Sequence, residues 1–338
     1  MVDVFGHGLK RGPTGPQGEK GPPGKKGDKG DPGKNGLNEL FNWFPQMLME
    51  QIHKHNNLVT FLVENVSGKD GDVEVDEHNK VVKWKSLKQL KNKETFFIPV
   101  SGSGAYLKNI PFQPDHQRYG LKFNYNDQNM YSLSNHWATI LSYTGTNTIL
   151  TITFSVGELV YDETRTRNKL EKDAFLIHDH NTQIPSPFRG ISVTNNGKES
   201  FDLCLHGAFS EHKDKLKIAE KLKMSCFYTL QVKWGAQIED PDGTMRILTS
   251  FYRIYKDKKR IVDNIFHQRI DDSPKVNALY IGGFNNDKNS TTKTSNFFTG
   301  VLSNIEVLLT AEKVIPNELL HFIATKQCII NDDWLKTK

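Results

Sequence analysis

Phe227-Tyr228-Thr229-Leu230-Gln231-Val232-Lys233-Trp234 alternates side chains, with Tyr228, Leu230, Val232 and Trp234 in phase. That is the period of a β-strand with one face on a core. The same period recurs at Leu121, Phe123 and Tyr125, at Leu150, Ile152 and Phe154, and at Phe201, Leu203 and Leu205. Val301, Ile305, Val307 and Leu309 predict a further strand. Turn residues separate these runs, as in Asn195-Asn196-Gly197 and Asp240-Pro241-Asp242-Gly243. Many strands, each with one buried face, predict a mainly β sandwich or jelly roll. Helical stretches are few. The lysine-rich segment Glu211 to Met224 reads as a short helix or long loop, and Pro316 to Ile323 as another short helix.

The order of these strands resembles a family. Phe227 to Trp234 is similar to the core strand of laminin-G-like and concanavalin A-like jelly rolls, and Phe251-Tyr252-Arg253-Ile254-Tyr255-Lys256-Asp257 to the strand entering their hairpin. Ala278-Leu279-Tyr280-Ile281-Gly282-Gly283 resembles their YIGG strand, and Phe298 to Val307 their closing strand. Phe188-Arg189-Gly190-Ile191-Ser192-Val193 fits the central hairpin. The resemblance covers roughly residues 95–325 and implies an adhesive, sugar-binding or purely structural module. Such domains often bind calcium at the rim, through carboxylates and carbonyls in loops. The residues it nominates here are Asp240, Asp242, Asp271, Asp272 and Asp287, with Asn285 and Asn286 beside them.

Near the start of the chain the period changes to three. Glycine occupies Gly12, Gly15, Gly18, Gly21, Gly24, Gly27, Gly30, Gly33 and Gly36, with Pro13, Pro16, Pro22, Pro23 and Pro32 between. Only glycine fits at the axis of three wound polyproline-II chains, so strict Gly-X-Y with proline resembles the collagen-like proteins. A flexible linker has no reason to keep that period. The resemblance implies a trimer. Lys26-Gly27-Asp28 and Lys29-Gly30-Asp31 set opposite charges where staggered strands can pair, each pair worth on the order of 0.2–1 kcal/mol. The rod would span roughly 75 Å.

Residues 1–11 form a lead-in and 12–36 the collagen-like repeat. Residues 37–66 read as a helical neck that trimerises, and 67–338 as the sandwich. Phe41, Phe44, Leu48, Gln51, His55, Leu58 and Leu62 follow 3-4 spacing, which predicts a helix from about 45 to 64 with Pro45 in its first turn. The alternative is a helix packed on its own chain's β-domain.

The net charge of +5, from 44 basic and 39 acidic residues, has no basic block interleaved with aromatics, which argues against a nucleic-acid partner. No apolar run of about 18 residues predicts a membrane-spanning helix. The first residues lack the basic and apolar regions of a secretory leader. The expected location is extracellular, in a matrix; the alternative is a virion. Three cysteines are too few for a disulfide scaffold. Cys204 and Cys226 are the candidate pair in an oxidising compartment, two buried thiols being the alternative. Asn65-Val66-Ser67 and Asn289-Ser290-Thr291 match the glycosylation sequon.

Catalytic constellations are missing. A glycanase needs paired carboxylates, and Glu158, Asp162 and Glu163 are the nearest cluster, in what reads as an exposed loop. His178-Asp179-His180 reads as an exposed polar loop because Asn181 and Thr182 follow. On a strand, its imidazoles would share a face, and His206 or His212 would be needed for a metal site. The expectation is a non-enzymatic homotrimer whose head binds a glycan or a matrix protein, with calcium as the only candidate cofactor.

Overall fold

The computed structural model describes residues 58–62, 72–87, 94–113, 116–133, 147–159, 173–181, 189–207, 209, 214–268, 276–285, 294–310 and 315–331, together with Gly15. The collagen-like repeat, apart from Gly15, and residues 37–57 of the expected neck lie outside them. Residues 44–338 form one compact unit.

Two antiparallel sheets stack face to face. In chain order, the first sheet takes β1 (Leu58–Phe61), β5 (Tyr106–Gln113), β6 (His116–Phe123) and β8 (Asn147–Val156). It continues with β13 (Phe227–Trp234), β16 (Ser250–Lys256), β17 (Lys259–Phe266) and β21 (Gly300–Thr310). Its spatial order is β17-β16-β13-β8-β21-β6-β5, with β1 also on β21. The second sheet takes β2 (Val73–Val75), β3 (Val81–Lys85), β4 (Phe96–Ser101), β7 (Met130–Leu133) and β9 (Asp173–Asn181). The rest of it is β10 (Gly190–Asn195), β11 (Ser200–His206), β12 (Lys215–Lys223) and β18 (Val276–Ile281), in the order β12-β11-β10-β9-β18-β7-β4-β3-β2. Two short hairpins, β14 (Gln237–Glu239) with β15 (Met245–Ile247) and β19 (Phe284–Asn285) with β20 (Thr294–Ser295), stand outside these sheets.

The core between the sheets is built from the expected alternation. Tyr228, Leu230, Val232 and Trp234 of β13 and Leu150, Ile152 and Phe154 of β8 meet Phe201, Leu203 and Leu205 of β11. Gly282 ends the YIGG strand with φ +85°, and a Cβ there would lie 2.3 Å from the Phe123 ring, so glycine is required on both counts.

Four expectations are corrected. The helical neck does not reach 58–62, because Leu58–Phe61 is a strand. β6 pairs only with Gly300 to Leu302 of β21, which leaves the edge from Ile305 to Leu308 open. β1 closes that edge, satisfying its backbone groups. Phe61 packs 4.8 Å from the Phe97 ring and 5.6 Å from Trp84, whose indole N–H donates to the Leu62 carbonyl. Second, the lysine-rich 211–224 segment contains the edge strand β12 rather than a helix or loop. Its lysines point outward, a common protection of sheet edges, while Ile218 enters the core. Third, a register shift between Leu302 and Asn304 puts Val301 on the face opposite Ile305. Fourth, Tyr125 lies in a 3-10 turn beyond the end of β6.

The first sheet is also buried on its outer face. Helix α1 (Asn317–Thr325) and the segment after it cross that face. Leu319, Leu320 and Ile323 pack on Ile149, Phe251 and Leu308. The polar outward positions adapt to this cover. Thr153 and Thr229 hydroxyls bond each other at 2.9 Å, Gln231 donates to the Leu320 carbonyl at 2.9 Å, and buried Glu306 pairs with Lys326 at 2.9 Å.

Candidate binding groove and the polar face of the second sheet

A groove of about 630 Å³ opens where α1 stops covering the first sheet. Lys233 of β13, Phe251 and Arg253 of β16, Asp263 and Ile265 of β17, and Asn317 of α1 line it, among others. Their placement follows from strand parity. Outward residues of β13 run Thr229, Gln231 and Lys233, and those of β16 run Phe251 and Arg253, with Lys233 directly opposite Phe251. The Arg253 guanidinium lies 4.3 Å from the Phe251 ring centroid. Its Nε donates to Asp263 at 3.0 Å and one Nη to Asn317 Oδ1 at 3.0 Å. The other, Nη1, is buried without a hydrogen-bond partner. Asp263 also takes Arg260 at 2.8 Å. Lys233 is only 7% exposed, and burial holds its ammonium below the ordinary lysine range. Ile265, at 65%, gives the rim an apolar lip. Among the described residues, the groove therefore offers two cations, amides, an aromatic edge and a single carboxylate.

The outer face of the second sheet carries a different polar network, in which the charges are matched. Lys215 donates to both oxygens of buried Asp173, at 2.5 and 2.7 Å, and Thr194 joins at 2.5 Å. Lys217 pairs with Asp202 at 2.8 Å. Burial alone would raise the Asp202 carboxyl, but the bonds from Lys217, Asn196 and the Lys221 N–H hold it below the usual aspartate range. Thr194, Asp202, Cys204, Lys215 and Lys217 surround a smaller pocket of about 280 Å³.

Ser192, His206 and Asp173 of this face invite comparison with a hydrolytic triad. The geometry opposes it. His206 Nε2 bonds Ser192 Oγ at 2.8 Å, and Asp173 Oδ2 approaches that same nitrogen at 3.8 Å, whereas a triad needs the carboxylate on the other nitrogen. Burial lowers the imidazole to about 3, so it cannot serve as a base near neutrality. Burial likewise raises the Cys204 thiol to about 11, away from a reactive thiolate.

The sequence-nominated residues fall elsewhere. His178 and Asp179 lie in β9 and are buried, not in an exposed loop, because Phe175, Tyr280 and Phe284 cover the His178 ring. The side chain of His180, and His212, Asp162 and Glu163, lie outside the described residues; Glu158 is exposed. No group of three metal-binding side chains converges among the described residues. Asp240 pairs with Arg246 at 2.8 Å, and Asp242 accepts from the Thr244 N–H and hydroxyl, so their carboxylates brace the β14–β15 turn. Asp271, Asp272, Asp287, Asn286, Asn65 and Asn289 lie outside the described residues. Cys204 and Cys226 are buried free thiols, without the bridge expected in an oxidising compartment. Cys204 lies in β11 of the second sheet, and Cys226 directly precedes β13 of the first. The groove residues Lys233 and Arg253 were legible only as outward strand positions.

No protein-family model and no curated protein matches the chain. Among solved structures, it is similar to a Trypanosoma rangeli sialidase in complex with sialic acid (11% identity over 86% of this chain and 39% of that one, TM-score 0.43). It is also similar to the CBM40 of a Ruminococcus gnavus IT-sialidase bound to α2,3-sialyllactose (14%, 61% and 92%, TM-score 0.33). A third is botulinum neurotoxin type C, which interacts with two ganglioside molecules (8%, 82% and 53%, TM-score 0.45). The chain spans less than two thirds of the sialidase and of the toxin chain. At these scores none of them identifies the function of this chain.

Proposed function

We propose that this chain is a non-enzymatic adhesion protein, trimerised through its Gly-X-Y repeat and neck, whose β-sandwich head binds a glycan. The observation that carries the reading is the groove beside α1. It combines hydrogen-bonding amides and charges with apolar surface, the mixture by which proteins hold hydroxyl-rich ligands. Three heads on one rod would give avidity for a repeated sugar without tight single contacts. The setting is extracellular or a virion surface, where the same parts serve attachment. A matrix protein is the alternative ligand. The buried Ser192, His206 and Asp173 support the non-enzymatic part.

The test is binding of the whole chain to immobilised oligosaccharides, beside residues 57–338 alone. Retention of at least one sugar class, weakened about 10²-fold or more on removing the rod and neck, is the expected result. Binding to no sugar, with retention on matrix proteins, would overturn the glycan reading.

A further inference from the structure

Lys233 and Arg253 are an unsolved electrostatic problem in the free protein. Lys233 is 7% exposed, and among the described residues it has no hydrogen bond or ion pair. Arg253 is 8% exposed, with Nη1 unpartnered although Nε and the other Nη are bound. An unpaired buried cation costs several kcal/mol, and buried polar groups normally have partners. Here an ammonium without an ion-pair partner among the described residues shares one wall with a guanidinium that is paired to Asp263 but keeps one buried, unpartnered nitrogen. Gln231 is the direct partner of Arg253 across β13 and β16, and Phe251 of Lys233, so the two cations are diagonal neighbours on one face. Such neighbours are about 7–8 Å apart, the span of a small oxyanion held from both sides. The guanidinium already leans over Phe251, the residue facing Lys233. Asp263, the only carboxylate lining the groove among the described residues, is engaged by Arg253 and Arg260. On the second sheet, by contrast, Lys215 and Lys217 are paired with Asp173 and Asp202.

We propose that the groove is built for an acidic sugar, whose carboxylate or sulfate sits between Lys233 Nζ and Arg253 Nη1 while its hydroxyls meet Asn317 and its apolar ring face rests on the Ile265 lip. This rests on the glycan reading and narrows it. Burial strengthens a charge-assisted hydrogen bond made there.

The experiment uses the whole chain and its Lys233→Met variant. Methionine keeps the apolar stem and deletes the ammonium. The probes are matched oligosaccharides ending in glucose, glucuronate or a sulfated sugar, and polyglutamate, at two salt concentrations. The acidic sugars should bind, more weakly at high salt, and Lys233→Met should weaken them tenfold or more. The free variant should unfold at a higher temperature than the parent, since an uncompensated buried charge is gone. Glucose-ended sugars binding as well as acidic ones, unaffected by Lys233→Met, would overturn the acidic inference and leave the glycan reading standing. No sugar binding at all would overturn both. Polyglutamate binding better than any sugar would replace the inference with an acidic peptide. A variant less stable than its parent would show that Lys233 has a structural partner, and would also count against the site.

Discussion

His206 shows how one residue's surroundings can be read as a stability curve. Its imidazole is buried, with Lys215 and His178 nearby, and titrates at about 3 in the folded chain against 6.5 when exposed. Below pH 6.5 the unfolded chain therefore binds a proton that the folded chain refuses. The stability from this group is intact above 6.5 and falls as pH drops toward about 3, by up to about 1.4 kcal/mol per pH unit. His206→Gln should flatten that part of the profile. The measurement is the urea midpoint at pH 7, 5 and 4 for both proteins; parallel profiles would disprove the assignment. The sequence marked His206 only as a spare metal ligand. Its true surroundings come from cross-strand neighbours, such as Ser192 on β10, which lie far apart in the chain.

At the scale of elements, the instructive case is β1. Leu58 and Leu62 continue a heptad, yet Val59 and Phe61 alternate as a strand does, and the strand wins here. Helical spacing is a local property, whereas the open edge of β21 is a distant one, and the distant one supplies backbone partners. Phe61 is outside the predicted heptad seam, which separates the two readings. Phe61→Ala should destabilise the sandwich by about 3–5 kcal/mol, because it empties a site against Trp84 and Phe97. Chemical unfolding would measure it, and a loss below about 1 kcal/mol would argue that the segment packs elsewhere. Helix α1 is the opposite case. Its position after Pro316 was legible, within two residues, but the face it covers was not.

At the scale of the molecule, the position of β1 decides where the head begins. A head cut at Gly68 would lack β1 and expose the β21 edge and the Trp84–Phe97 cluster; a head beginning at Asn57 would keep them. Light scattering should therefore give three chains for the full sequence and one for a folded 57–338 head. One chain for both would remove the trimer from the proposal, and three for both would place trimerisation in the head.

The sequence by itself determined that this chain is mainly β, because side chains of opposite polarity on a pleated strand must alternate wherever one face is buried. It also determined most of the inward set and the turn at Gly197. Only the tertiary structure decided what became of the outward set. Thr229, Gln231 and Lys233 look identical in the sequence to solvent-facing residues of any antiparallel sheet. Helix α1 and Phe251 close over them, and burial turns Thr229 into a hydrogen-bond partner, Gln231 into an anchor for α1 and Lys233 into a charge with no partner among the described residues. Polarity is written residue by residue, but solvent exposure depends on what the rest of the chain lays on top, and the energy of a charge depends on exposure far more than on identity.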